Sequence, residues 1–474
     1  MRDIGGYARV SLRPNPPPFK SSQEIRVRSS RIGYTVTAME SKPTLFTNGK
    51  LIHPDRSRPR EEELLVVDGR IAQCGTGLKG HAPRAKVVDL QGRSLSPGFI
   101  DIHVHFREPG QEHKETIATG AAAAAAGGFT TVCCMPNTNP ALDDPAQIEF
   151  VLNQARRADL CRVLPFGAIT KGREGKELAE LRLMHEAGTV GFSDDGVGVG
   201  SAAVMNKAFQ YVKMFDGLIS QHCEEPSLSG GPMNAGLTAN RLGLTGLPAA
   251  AEELMIARDL ILNRAIGARY HVQHISTAGA VELVRQARAN QQCVTAEVAP
   301  HHLLLTEEAC AEYDTHTKMN PPLRTQADVD ACIAGVVDGT IEVLATDHAP
   351  HAREEKEQEF DRAPFGIVGL ETAFPLYLEA LVRRKHISLP KMVALMTLNP
   401  ARVIRQENVG TLTVGGWADL TVFDPDEEWT IDPARFISKS RNSPFAGRKV
   451  RGRIKMTMLQ GRVVYQDGVE SQAQ

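Results

Sequence analysis

The chain has 474 residues, is 42% hydrophobic and 23% charged, and carries a formal net charge of -2. That composition is ordinary for a soluble globular protein and offers no basic excess for nucleic acid or an anionic membrane surface. The length exceeds what one core organises unless the fold is a large barrel.

Eight cysteines are scattered with no C-x-x-C pair, and Cys133-Cys134 lies in an apolar run, so both read as buried thiols. Free thiols suit a reducing, cytoplasmic compartment. The alanine-rich run at 119–126 is far too short to span a bilayer, and no other stretch qualifies.

Residues 1–43 differ from the rest. They hold Arg2, Arg9, Arg13, Arg26, Arg28 and Arg31, few acids and the run Pro16-Pro17-Pro18, which predicts a disordered extension. The same composition suits an organelle transit peptide, and a start at Met39 is equally compatible. From residue 44 the pattern is short strands and turns: 45–47, 51–52, 64–67 with a turn at Asp68-Gly69, 71–74 and 87–90. Similar material returns at 418–423, 454–459 and 463–465. The two ends, 44–95 and 406–474, are therefore expected to build one small β-sandwich domain.

Between them, 96–405 alternates strands and helices, the pattern of a parallel sheet. Eight candidate strands fall at 99–105, 130–135, 163–169, 190–193, 218–222, 270–275, 294–298 and 341–346. Helices are expected at 116–126, 174–187, 249–264 and 278–289, among others. Eight strand–helix units predict an α/β fold of the TIM-like (β/α)8 barrel type. Polar residues stand where the strands end: His103 and His105, Asn137, Asp194-Asp195, His222, His274, His301-His302 and Asp347. The strand C-termini build the active site in such barrels.

The stretch 96–110, S-P-G-F-I-D-I-H-V-H-F-R-E-P-G, organises the rest. Alternation along a strand turns His103, His105 and Arg107 to one face, where two imidazoles can grip a metal and the arginine can hold an anion beside it. The strand-end set is large enough for two metals. His103, His105 and Asp347 suit one, His222 and His274 the other, with Asp194 or Asp195 as a bridge. Adjacent strand residues face opposite ways, so only one of that pair is expected to be a ligand. A paired-metal site makes hydroxide at neutral pH and polarises a carbonyl, the two tasks of amide hydrolysis.

The ordered motifs H-V-H-F-R, M-P-N-T-N-P, F-S-D-D-G, H-C-E, H-V-Q-H-I-S, M-N-P-P-L-R and A-T-D-H-A-P-H resemble those of the dihydroorotases, in the class I bacterial branch of the amidohydrolase superfamily. The resemblance runs from residue 44 to the C-terminus. It implies two divalent metal ions, zinc by family habit, and reversible interconversion of N-carbamoyl-L-aspartate and L-dihydroorotate in pyrimidine biosynthesis. Matched motif by motif, His103, His105 and Asp347 hold the first metal, His222 and His274 the second, and Asp195 bridges. Many relatives use a carbamylated lysine at the bridging position; this chain has Phe192-Ser193-Asp194-Asp195 and no lysine there. Arg107, Asn137 and His351 match residues that hold the substrate carboxylate, Asn320 a ring-binding residue, and Phe365-Gly366 a pair offering backbone contacts. The expected mechanism has the metal pair supply a hydroxide toward the ring amide, with Asp347 as general base and then acid.

Allantoinase and dihydropyrimidinase are the nearest rivals within this chemistry, but their substrates lack a ring carboxylate and leave an Arg–Asn–His anion site without purpose. A non-catalytic homologue that scaffolds a pyrimidine-pathway transferase would relax the demand for metal ligands, yet every expected ligand position is filled. The expected partner is a small-molecule substrate, with no nucleic acid and no membrane. A homo-oligomer, or a complex with aspartate carbamoyltransferase, is compatible with the family and invisible in these residues.

Overall fold

A computed structural model describes residues 42–80 and 82–469. The predicted disordered extension lies outside these residues except for Lys42 and Pro43. The middle of the chain forms one eight-stranded sheet: β1 (Phe99–Val104), β2 (Phe129–Cys134), β3 (Arg162–Gly167), β4 (Gly191–Phe192), β5 (Leu218–Gln221), β6 (Arg269–Val272), β7 (Val294–Val298) and β8 (Val343–Leu344). Spatial order follows chain order, and every pairing along it is parallel.

The seam between β1 and β8 closes through few backbone bonds. Val104 bridges His348 in parallel, and His105 N donates to His348 O at 2.9 Å. Asp101 fills the rest: its buried carboxylate accepts from Thr346 N at 3.2 Å, from Thr346 Oγ1 at 2.5 Å and from His103 N at 3.0 Å. A carboxylate inside an apolar run thus replaces ladder hydrogen bonds where the barrel strands splay.

Helices cover the outside, and most start where the sequence supplies a side-chain cap. Helix α1 (Ile117–Ala126) is capped by Thr116, and α2 (Pro145–Ala158) by Asp144, with Pro145 in its first turn. After α3 (Leu181–Ala187), Ser201 caps α4 (Ala202–Lys213). Helix α5 (Ala249–Ile266) follows β5. Thr277 caps α6 (Ala278–Ala289), and Thr325 caps α7 (Gln326–Asp338). In α2 the residues Ile148, Val151 and Ala155 recur at helical spacing and are buried against the sheet. Ile148 and Val151 each contribute about 1.5–3 kcal/mol when removed from water. Cys133 and Cys134 are both buried and free.

The helix expected over 174–187 begins only at Leu181. Gly175 sits at φ 68, and Thr170 bridges Leu178, so the first half is an irregular loop. His301 and His302, expected at a strand end, instead lie on a short helix, His301–Leu304, one turn past β7.

Two smaller sheets draw on both chain ends. One runs in the order Arg70–Gly75, Glu63–Val67, Thr44–Thr47, Lys86–Asp89; the other in the order Arg462–Gln466, Lys449–Leu459, Leu420–Thr430, Ser94–Pro97, Lys50–Leu51. Phe46, Leu64 and Ile71 from the first share one apolar cluster with Leu95, Leu420 and Met458 from the second. That shared core makes the pair a sandwich. Ser94–Pro97 leads, after Gly98, directly into β1, so the sandwich holds the strand that carries His103. No helix among the described residues is long and apolar enough to cross a membrane.

Candidate metal centre and substrate cleft

The side chains of six strand-end residues converge at the C-terminal mouth of the barrel. His103 comes from the end of β1 and His105 from just beyond it, with ring centroids 5.4 Å apart. His103 Nε2 lies 3.3 Å from Asp195 Oδ1 and 3.5 Å from Asp347 Oδ1. His105 Nε2 is 3.0 Å from Asp347 Oδ1 and 3.6 Å from Asp195 Oδ2. On the other side, His222 Nδ1 is 2.9 Å from His274 Nε2, and each of these nitrogens is 3.9 Å from Asp195 Oδ1. Three overlapping triads therefore bring ligand atoms within 4.8 Å of one another: His103–His105–Asp195, His103–His274–Asp347 and Asp195–His222–His274. Asp195 belongs to two of them.

Its neighbour points elsewhere. Asp194 accepts from Ile169 N at 2.8 Å, Thr170 N at 3.0 Å and the Thr170 hydroxyl. Its carboxylate is consumed in fastening the loop after β3, while that of Asp195 faces the histidines.

Within the cluster, His103 Nε2 and Asp195 Oδ1 are buried and lack a hydrogen-bond partner. Nitrogen and carboxylate donors so placed are what a divalent cation takes, and unpaired burial is otherwise expensive. The residues present fit a metal. Three carboxylates and their low-dielectric setting set the charge states. Burial alone would lower His103, but Asp347, Glu297 and Asp195 raise it well above the usual imidazole range. Burial would raise Asp347, yet His103 and His105 hold it well below the ordinary carboxylate range. His274 is pushed down to about 3 by burial and by its neighbours His222 and His103.

The backbone is bent to present these groups. His274 (φ 28), Asp347 (φ 49) and Arg107 (φ 62) all take left-handed conformations. Each costs about 1–3 kcal/mol, and such residues persist only where the surrounding structure holds them.

A cleft of about 250 Å3 opens above the cluster. Of the metal and substrate residues matched by motif, all line it except His103, which is fully buried beneath it, and Gly366; Asp194, His301 and His302 do not line it. Asn137 ties the floor to the wall: Oδ1 is 2.8 Å from His105 Nδ1, and Nδ2 donates to Asp195 Oδ2 at 3.2 Å. Arg107 is buried, donates from Nε to Pro350 O at 3.2 Å, and has no ion pair among the described residues. Burial lowers it to about 10, so it stays cationic at neutral pH. His351 Nε2 lies 3.4 Å from Arg107 Nη2 and donates to Phe365 O at 2.8 Å. Across the cleft, Asn320 Nδ2 lies 3.3 Å from His222 Nε2 and donates to Glu224 Oε2 at 2.7 Å.

The Gly366 backbone is already hydrogen-bonded on both sides. Its N–H donates to Lys318 O at 3.0 Å, and its carbonyl accepts from Asn442 Nδ2 at 2.9 Å. A Cβ there would meet Ala349 O at 2.6 Å and the His351 ring at 2.7 Å, so the glycine lets the loop close onto His351.

Sequence reasoning missed two carboxylates. Glu297 Oε1 lies 2.5 Å from His103 Nδ1, and its other oxygen is 3.1 Å from His271 Nε2. Burial would raise Glu297, but His103 and His271 hold it down at about 2. The signal was a glutamate inside the apolar run V-T-A-E-V. Glu224, two residues past His222, was visible within H-C-E.

A family model described as Dihydro-orotase-like matches residues 92–280, and one described as Amidohydrolase family matches 363–465. The chain is 50% identical to a dihydroorotase of Pelotomaculum thermopropionicum over 426 residues, covering 90% of this chain and 99% of that protein. It is 48% identical to a dihydroorotase of Solibacter usitatus, covering 88% and 97%. Among solved structures it is similar to the L-hydantoinase of Arthrobacter aurescens, with a TM-score of 0.81 and 28% identity over 90% of this chain and 96% of that one. The dihydropyrimidinase of Brevibacillus agri shares the fold, with a TM-score of 0.79 and 22% identity over 90% and 95%.

Proposed function

The chain belongs to the dihydroorotase family of the amidohydrolases, and we propose that it interconverts N-carbamoyl-L-aspartate and L-dihydroorotate in pyrimidine biosynthesis. What carries this reading is the pairing of two features across one cleft. Arg107, Asn137 and His351 form a cationic, hydrogen-bonding wall, and the His–Asp cluster forms the floor. A guanidinium with a fixed plane and no carboxylate partner suits an anionic substrate group. Hydantoins and dihydropyrimidines have no carboxylate to meet it.

His103, His105 and Asp347 would hold one divalent cation and His222 and His274 a second, with Asp195 shared between them. Two zinc ions bound there would supply a hydroxide at neutral pH and polarise the ring carbonyl. The chain's own residues do the rest. Arg107 and Asn137 fix the substrate carboxylate, which orients the ring amide over the cluster. Asn320 contacts the ring from the opposite wall. Asp347, ionised at neutral pH, accepts the nucleophile's proton and delivers it to the ring nitrogen as the amide bond breaks. Ring closure reverses both transfers. Free thiols throughout the described residues suit a cytoplasmic location.

The test is direct. Purified protein is assayed against dihydroorotate, dihydrouracil and allantoin side by side. Turnover confined to dihydroorotate is expected, and preference for either neutral ring would overturn the assignment.

A further inference from the structure

A second group of metal-ligand side chains lies far from the barrel mouth, in the sandwich. His53 follows the strand Lys50–Leu51, Glu62 precedes Glu63–Val67, and Cys74 sits on the neighbouring strand Arg70–Gly75. His53 Nε2 is 2.9 Å from Glu62 Oε2, Cys74 Sγ is 3.5 Å from the same oxygen, and Sγ is 3.9 Å from His53 Nε2. Among the described residues this is the one group of three ligand side chains outside the barrel mouth. We propose that His53, Glu62 and Cys74 form a structural zinc site that fastens the 52–62 loop to the sandwich.

The spacing supports it. Zinc bonds of about 2.0–2.1 Å to nitrogen or oxygen and about 2.3 Å to sulfur, set tetrahedrally, place N and O about 3.3 Å apart and sulfur about 3.5 Å from each. The three observed separations scatter about those values. Sulfur at 3.9 Å from a ring nitrogen is long for a hydrogen bond but suits two ligands on one ion. Imidazole with thiolate selects zinc over magnesium or calcium, which take oxygen. Thiolate and carboxylate together neutralise the cation, and water can complete the shell because the Glu62 side chain keeps 20% of its exposure.

The local fold explains what such a site would do. Leu51 and Arg60 exchange both backbone hydrogen bonds, at 2.7 and 2.9 Å, closing a loop that carries His53 on one side and delivers Glu62 on the other. This loop, H-P-D-R-S-R-P-R, has polar residues and two prolines but little apolar surface to hold it down. A metal would tie both loop ends to the Cys74 strand. The proton displaced from the thiol passes to solvent.

The thiolate distinguishes this site from the barrel cluster, which contains no cysteine. The full chain is produced in zinc-depleted, cobalt-supplemented medium, and its near-ultraviolet spectrum is compared with that of Cys74→Ser. Metal content is counted for both after growth in zinc. The expected result is a thiolate-to-cobalt charge-transfer band in the parent chain that is lost in Cys74→Ser, together with the loss of one zinc equivalent and unchanged turnover. Should Cys74→Ser not fold, His53→Gln must abolish the same band. Absence of the band from the parent chain would overturn the proposal, as would its survival in the variant or equal zinc content in both.

Discussion

Glu297 Oε1 lies 2.5 Å from Nδ1 of His103, the two groups buried between β7 and β1 beneath the cleft. The contact places the Nδ1 proton against the carboxylate and leaves Nε2 facing Asp195 and Asp347. A ligand histidine oriented in this way is a stronger and better-aimed donor. Glu297 also reaches His271, whose other nitrogen is 2.7 Å from Thr295 Oγ1, so the carboxylate is itself held in place.

Glu297→Gln should therefore weaken metal binding without removing any ligand. The amide can still accept from Nδ1 but carries no charge, and loss of such support lowers metal affinity about 10–100-fold. Competition against a chelator measures it. Affinity equal to that of the parent chain would mean that His103 needs no such partner.

Arg107→Gln tests the anion wall. Losing a hydrogen bond to a charged group costs roughly 1.5–3 kcal/mol, or about ten- to a hundredfold in kcat/KM for dihydroorotate. Metal content should be unchanged, because Arg107 contacts Pro350 and His351 rather than the cluster. The inhibition constant of a carboxylate-free ring analogue should change little. A matching loss for the analogue would remove Arg107 from carboxylate recognition.

How much of this site is legible in the chain depends on the kind of constraint. His103 and His105 can be read because strand alternation fixes their face, and His222, His274 and Asp347 because each breaks an apolar run at its end. Asp194 and Asp195 cannot be separated by spacing alone. β4 is only two residues long, and what decides between the carboxylates is the loop at Ile169-Thr170, which comes from the preceding strand. Gly366 illustrates a different limit: its backbone partners, Lys318 and Asn442, are distant in sequence. Asp101 and Glu297 are hidden for the opposite reason. Each sits inside a strand, where a lone acid reads as an interruption until the partner across the barrel is known.

Asp259, on α5, makes a pH prediction away from the metals. It is fully buried, accepts from Arg258 Nε at 2.8 Å and from Tyr270 OH at 3.1 Å, and burial outweighs both partners to raise it to about 6. A raised folded-state value means the folded chain binds the proton more tightly than the unfolded one. This contribution to stability is complete below about pH 4 and is lost as pH rises through about 6, a change on the order of 2–3 kcal/mol. Asp259→Asn cannot titrate. The difference in Tm between parent and variant should therefore shift in the variant's favour as pH rises from 4 to 7 and then level off. A difference independent of pH would show that Asp259 titrates alike in both states.

Asp194 and Asp195 give the sharpest comparison, because two adjacent carboxylates of the same type serve opposite faces. Asp195→Ala removes the group that two of the three ligand triads share, while His103, His105 and Asp347 remain. Loss of metal and a large fall in turnover are expected, with little change in the fold of the metal-free chain. Asp194→Ala instead strands the Ile169 and Thr170 N–H groups, both buried, at roughly 1–3 kcal/mol each. That variant should melt earlier yet retain its metal when folded. Metal content and Tm of both variants decide it. If Asp194→Ala sheds metal at a temperature where it is fully folded, the shared ligand is the other carboxylate.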